Sequence, residues 1–393
     1  MIYKRSILPQ IEKYIEKKEI IVLTGMRRVG KTTLLKQVFD GIKSENKILL
    51  DIENPLTRSY FEEIDFNNIW NNLGVEGLDK TKKAYIFLDE IQAMPEITKA
   101  IKYLYDHYDV KFFVTGSSSY YLKNLFPESL AGRKFEFELF PLSFEEFLLF
   151  KGVENPFYKS ITMTAQYKNK IKYEKTKQYY AEYMLWGGFP EVVLESNLET
   201  KKMKLNDIFK AYFEKEVKGL ADFSNLSRFR DLMILLVSRV GSKLDISKLA
   251  SEVGTSRQTI NSYLSFLQAT YFLSLVPPFS KNIDREVSGS NKVYICDTGL
   301  INLLEKVSMG SVLENAVFLN LKKYGKLQYY DKRKGGEIDF ILNENCALEV
   351  KNKAIDQHFN ALKKMSQTLG LKNYYIVGNL FVDKNYVIEA QDL

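Results

Sequence analysis

Gly25-Met26-Arg27-Arg28-Val29-Gly30-Lys31-Thr32 sets two glycines, a lysine and a hydroxyl at the spacing GxxxxGK[ST]. Such a turn points successive backbone N–H groups at phosphates, aided by the positive end of the helix that follows. Gly25, Arg28, Val29, Gly30, Lys31, Thr32 and Thr33 are therefore the expected nucleotide contacts, with ATP as ligand. Lys31 would reach the β and γ phosphates and Thr32 would ligate Mg²⁺. Asp89-Glu90 is the matching acidic pair, Asp89 for the Mg²⁺ and Glu90 to polarise the attacking water. A second constellation, Asp339 with Glu349 and Lys351, could bind one or two Mg²⁺ ions beside a scissile phosphate, the lysine orienting water and stabilising charge.

These groups need strands that end where the chemistry begins. Ile20 to Leu23 precedes the glycine turn, Thr33 to Phe39 reads as the helix after it, and Ala84 to Leu88 delivers the two acids. Val110 to Val114 ends in Thr115-Gly116-Ser117-Ser118-Ser119, where two readings stand: Ser117 as a γ-phosphate sensor, or a plain turn. With Ile48 to Asp51 the alternation over residues 20 to 120 predicts a parallel sheet covered on both faces. Further on, Glu337 to Leu342 and Ala347 to Lys351 read as neighbouring strands, whose alternation puts Glu349 and Lys351 on one face. This is the pattern of the PD-(D/E)XK nuclease fold, and it reads equally as paired charges on exposed strands.

At 393 residues several domains are expected, and 45% hydrophobic against 27% charged residues argues against disorder. A net charge of +7 permits a polyanionic partner without requiring one. Two distant cysteines, Cys296 and Cys346, fit no disulfide framework or structural zinc site, and the longest apolar runs are far too short for a membrane span, so a cytoplasmic protein without a membrane partner is expected. His107 and His358 lack ligand-like neighbours in sequence.

Between the two constellations, residues 166 to 178 carry five lysines and two tyrosines, read as a solvated helix face or as a grip on nucleic-acid backbone. Asp245 to Ile260 predicts a helix-turn-helix, with Gly254 at the turn and Ile260, Leu264 and Leu267 as the buried stripe. Tyr271 to Val276 would supply wing strands, completing a winged helix. Its solvent face carries Arg257, Gln258 and Asn261, suited to a DNA major groove, although such modules also serve for packing.

The chain resembles the AAA+ ATPases of bacteria and archaea whose C-terminal half is a domain of undefined function related to restriction endonucleases. The likeness runs nearly end to end, through the phosphate loop, Leu88-Asp89-Glu90-Ile91-Gln92, Thr115 to Ser119, Leu130-Ala131-Gly132-Arg133, Pro141-Leu142-Ser143-Phe144 and Gly187-Gly188-Phe189-Pro190-Glu191. Met26 stands where the family more often has proline. The resemblance implies that Arg133 contacts the γ phosphate, in its own chain or as a finger from a neighbouring subunit in a homo-oligomer, with a surface ion pair as the alternative. It also implies that Glu314 supports the metal at Asp339 and Glu349.

The expected architecture is thus α/β and multidomain: a parallel-sheet P-loop core (1–150), a helical lid (151–225), a winged helix (226–285) and a restriction-endonuclease-like α/β domain (286–393). The expected function is an ATP-hydrolysing AAA+ protein whose nucleotide state controls a nuclease-like half acting on nucleic acid, with DNA as the partner. The rival is a nucleotide switch that binds DNA or protein and keeps an inactive nuclease-like scaffold. A metabolic kinase is disfavoured, because Glu90 puts a water-activating group where an acceptor would bind.

Overall fold

A computed structural model describes residues 3–117, 132–218, 225–280, 289–332 and 336–393. Ser118, Ser119, Leu130, Ala131 and Gly335 lie outside the described residues. The chain forms two compact units, one of Met1–Phe140 with Ala269–Tyr271, the other of Pro141–Gln268 with Phe272–Leu393.

In the first unit β1 (Ile20–Thr24), β2 (Lys47–Asp51), β3 (Ala84–Asp89), β4 (Val110–Gly116) and β5 (Lys134–Glu138) make a five-stranded sheet in the order β2-β3-β4-β1-β5. All its pairings are parallel. Every residue of β1, β3 and β4 is buried, which is why these strands read as continuous apolar runs. Each fully buried Ile, Val, Leu or Phe contributes roughly 2 kcal/mol, enough to fix the strands before any polar group is placed. With β4 between β1 and β3, Thr115 and Ser117 come to lie between the glycine turn and the acidic pair.

One charge sits inside this core. Lys111 on β4 is 1% exposed, and its ammonium donates to the carbonyls of Tyr14 (2.9 Å) and Glu19. Burial pushes its pKa down to about 8, with Lys83 adding to the fall and Glu19 and Glu16 opposing it.

The second unit opens on the helix Phe144–Phe150, started by a capping box between Ser143 and Glu146. The lysine-rich run enters the helix Lys170–Trp186. Two of its lysines are committed internally: Lys168 pairs with Glu389 (2.9 Å) and Lys172 with Asp392 (2.8 Å). The Gly187-Gly188 turn is structural as well, since the buried Asp297 carboxylate accepts from the Gly188 N–H at 2.6 Å.

Helices Leu226–Ser238, Ile246–Val253 and Arg257–Ala269 follow, the last two joined at Gly254 in the left-handed region (φ 68°). Ile260, Leu264 and Leu267 are buried as expected, and Phe229 closes the trihelical core against Tyr263 and Phe266. β6 (Leu273–Val276) pairs antiparallel with β7 (Lys292–Ile295). The partner of the expected wing strand thus comes from beyond residue 285, inside the segment expected to be a separate domain.

A second five-stranded sheet contains β8 (Leu327–Asp331), β9 (Glu337–Leu342), β10 (Cys346–Lys351), β11 (Asn373–Gly378) and β12 (Val387–Glu389), in the order β12-β11-β10-β9-β8. β9 runs antiparallel to both of its neighbours, β8 and β10, and β10, β11 and β12 run parallel. The helix Asp356–Leu369 makes the crossover between β10 and β11.

Candidate functional sites

Gly25 has φ 146°, and a Cβ there would collide with the Leu139 carbonyl oxygen, so only glycine can start the loop. Gly30 caps the helix Lys31–Gly41, and the loop between is held by Arg5, whose guanidinium donates to the carbonyls of Val29 and Phe140, each at 2.8 Å. The Lys31 ammonium is 3.0 Å from the Gly25 carbonyl and 3.1 Å from that of Met26. Val29 is wholly buried, whereas Arg28 and Thr33 are exposed.

The acidic pair meets this loop at the same sheet edge. Thr32 Oγ1 donates to Asp89 Oδ2 at 2.7 Å, and the Thr115 hydroxyl donates to Asp89 Oδ1. Thr115 Oγ1 also accepts from the Glu90 N–H at 3.0 Å, helping to hold Glu90 in a left-handed conformation (φ 55°). Gln92 then binds the Glu90 carboxylate and, at 3.1 Å, the Ser117 hydroxyl. A hydroxyl and a carboxylate brought together at a phosphate loop are hard oxygen donors suited to Mg²⁺, so these residues fit the expected ion. Tyr271 reaches the same edge, its hydroxyl 2.6 Å from Thr24 Oγ1 and 3.3 Å from Glu138.

Arg133 is elsewhere. Its carbonyl accepts from the Ile20 N–H at the start of β1, while the loop follows Thr24 at the other end. The strand between spans roughly 15 Å at the usual rise. The guanidinium pairs with Asp106 at 2.5 Å and lies over the Tyr105 ring. Arg133 thus lies toward the end of β1 away from the loop, in an ion pair with Asp106.

In the second unit the expected acids and lysine do converge. Lys351 donates to Glu349 at 2.7 Å, so the two share a face, and Asp339 Oδ2 accepts from the Val350 N–H at 2.8 Å. Glu314, on the helix Met309–Leu321, accepts from the Tyr294 hydroxyl at 2.7 Å. Burial, then the charge of Asp339, pushes both Glu314 and Glu349 up to about 7.

The group at the centre is a lysine with no part in the expected site. Lys292 on β7 lies 2.5 Å from Glu337, 3.4 Å from Glu314 and 3.7 Å from Asp339, with its side chain 2% exposed. Burial alone would lower its pKa, but Glu314, Asp339 and Glu337 outweigh that and raise it above the ordinary lysine value. Among the described residues no three His, Cys, Asp or Glu side chains group so as to hold a metal ion. A stranded buried ammonium costs several kcal/mol, comparable with the roughly 4 kcal/mol that a millimolar metal site provides. The expected metal set Glu314, Asp339 and Glu349 therefore does not fit an added Mg²⁺ while Lys292 stands among it. Beside it, Glu349, Lys351, Gln357, His358, Ala361, Leu362 and Met365 line a cavity of about 220 Å³.

Residues 17–148 match the family model of an AAA domain, and residues 177–311 match a domain of unknown function, DUF8612. The uncharacterized protein MJ1544 of Methanocaldococcus jannaschii is 30% identical over 373 residues, covering 90% of this chain and 80% of that protein. The chain belongs to its family. An uncharacterized Haemophilus influenzae protein is 27% identical, over 87% of this chain and 84% of its own length. Among solved structures, the Walker-type ATPase PABY2304 of Pyrococcus abyssi is similar with a TM-score of 0.49 and 15% identity, over 77% of this chain and 96% of that one. The Aeropyrum pernix ORC1 protein, solved in complex with DNA, follows at a TM-score of 0.31 and 12% identity, over 76% of this chain and 90% of that one. The first unit of this family member is thus an AAA-type P-loop core, and no helix among its described residues is long and apolar enough to cross a membrane.

Several residues of this AAA-domain protein carry more than their sequence setting shows. Arg5, Thr115, Gln92 and Tyr271 order the P-loop edge, and Lys292 orders the second cluster. The only signal for Lys292 is a lone charge beginning the otherwise apolar run Val293-Tyr294-Ile295. On the helix Arg257–Ala269, Arg257, Gln258 and Asn261 are all exposed.

Proposed function

We propose that this AAA-domain protein is an ATP-hydrolysing switch that engages DNA through its helix-turn-helix and does not cut it. The observation carrying the first half is the connected set Thr32, Asp89, Thr115, Glu90, Gln92 and Ser117 at one sheet edge. Lys31 exchanges its two carbonyl partners for phosphate oxygens. Thr32 and Asp89 would hold Mg²⁺, which supplies charge neutralisation on the phosphates. Glu90, held by Gln92 and by its backbone bond to Thr115, takes a proton from the attacking water. Ser117, bonded to Gln92, relates the nucleotide's γ end to the orientation of Glu90. Homo-oligomeric catalysis through a neighbour's Arg133 gains no support from the pairing of Arg133 with Asp106.

The second half rests on the exposed Arg257, Gln258 and Asn261 at the start of the second helix, where phosphate and base-edge contacts are made in such motifs. Coupling is supported by chain order: Ala269–Tyr271, which begins at the last residue of that helix, belongs to the P-loop unit and puts the Tyr271 hydroxyl on Thr24, the residue before Gly25. Phosphate release by wild type and Glu90→Gln, with duplex binding followed by fluorescence anisotropy with and without ATP, tests both halves. Equal hydrolysis by the two proteins, or DNA affinity indifferent to nucleotide and to Arg257→Ala, overturns the reading.

One observation favours the nuclease alternative: Glu349 Oε2 is buried without a hydrogen-bond partner beside the cavity. Strand breakage in Mg²⁺ or Mn²⁺ that disappears in Asp339→Ala would establish that alternative.

A further inference from the structure

Three acidic side chains from two elements point at one ammonium. Glu314 comes from the helix Met309–Leu321, and Glu337 and Asp339 come from β9, alternate residues on one face of the strand. Lys292 Nζ stands within 3.7 Å of all three, buried, with the Tyr329 ring 5.5 Å away. The cluster also has other protein donors: Tyr294 shares Glu314 Oε1 with Lys292, the Val350 N–H donates to Asp339 Oδ2, and Lys351 donates to Glu349 Oε1. β7 is buried along its whole length, and of the three acids Glu337 is the well-exposed one.

We propose that Lys292 is the resident cation of this cluster, standing where a nuclease of this pattern would hold its divalent metal, so that the protein binds no divalent ion there. The proposal rests on the non-cutting reading above and supplies its cause. A compact ammonium with three donors meets Glu314, Glu337 and Asp339, and so occupies two of the three carboxylates of the expected metal set. The cluster then serves as an internal clasp joining β7, the Glu314 helix and β9.

Nucleotide-free, full-length protein carrying Asp89→Asn, which removes the P-loop metal ligand, should show no Mn²⁺ site tighter than about 1 mM by calorimetry or Mn²⁺ electron paramagnetic resonance. Adding Lys292→Met should create one Mn²⁺ site per chain, abolished by Asp339→Asn, and Mn²⁺ should raise the melting temperature of that variant. Mn²⁺ binding with Lys292 intact that Asp339→Asn abolishes overturns the proposal, as does a folded Lys292→Met protein that gains no site. If Lys292→Met does not fold, the comparison with Lys292 intact decides alone. Metal bound there without strand breakage sinks this inference and leaves the proposed function standing, whereas Asp339-dependent cutting sinks both.

Discussion

Asp89 and Asp339 are both aspartates delivered by a strand, yet what faces them differs in kind. Asp89 receives two hydroxyls, from Thr32 and Thr115, neutral groups that can turn their lone pairs to an arriving cation. Asp339 faces the Lys292 ammonium and receives the Val350 N–H, donors with no lone pair to offer. The first arrangement is made to be completed from outside, and the second is complete already. Two of the buried lysines repeat the lesson in reverse. Lys111 has carbonyls for direct partners and is pushed down to about 8, while Lys292 has carboxylates and is raised.

The largest effects should separate the two acids by function. Lys31→Ala or Glu90→Gln should cut phosphate release by about 100-fold or more, whereas Lys351→Ala leaves it unchanged. A slow Lys351→Ala enzyme would break the comparison. Next in size is stability: Lys292→Met leaves buried carboxylates without their cation and should lower the second unit's unfolding free energy by about 3 kcal/mol in denaturant titrations, with ATP binding retained.

Lys111 should give the opposite response to pH. Below about 8 both folded and unfolded chains hold its proton, and the cost of burying the charge is fully present. Between about 8 and the ordinary 10.5 the folded state has shed the proton that the unfolded chain keeps, so stability rises with pH across that window. Lys111→Met should erase a rise on the order of 3 kcal/mol in the P-loop unit's pH profile. The Lys292 contribution, from a raised pKa, persists through that window and is lost only above it, as pH climbs past the folded value. The smallest expected effect is Arg257→Ala, which should weaken duplex binding by about 1 kcal/mol and flatten its salt dependence.

The P-loop side of the comparison was largely legible in the sequence. Its parts lie at strand ends, and a continuous apolar run followed by Gly, Asp or Thr marks such an end without knowledge of what pairs with what. Thr115 was in view inside Thr115-Gly116-Ser117, but its bond to Asp89 depends on β4 lying between β1 and β3, a matter of topology. Arg133 illustrates the same limit, since only the parallel pairing of β5 with β1 shows which end of the sheet it occupies. The second site was half legible: period-2 alternation correctly put Glu349 and Lys351 together. Lys292 escaped because β7 comes well before them in the chain and reaches the cluster only through tertiary packing.

The return of Ala269–Tyr271 to the first unit bears on how this protein can be taken apart. A fragment stopped near residue 140 keeps the whole parallel sheet but strips Thr24 and Glu138 of the Tyr271 hydroxyl. The P-loop unit is therefore not one continuous stretch of sequence. Its last hydroxyl is encoded some 130 residues downstream of its last strand, so shuffling of such a gene would have to carry the intervening helices along.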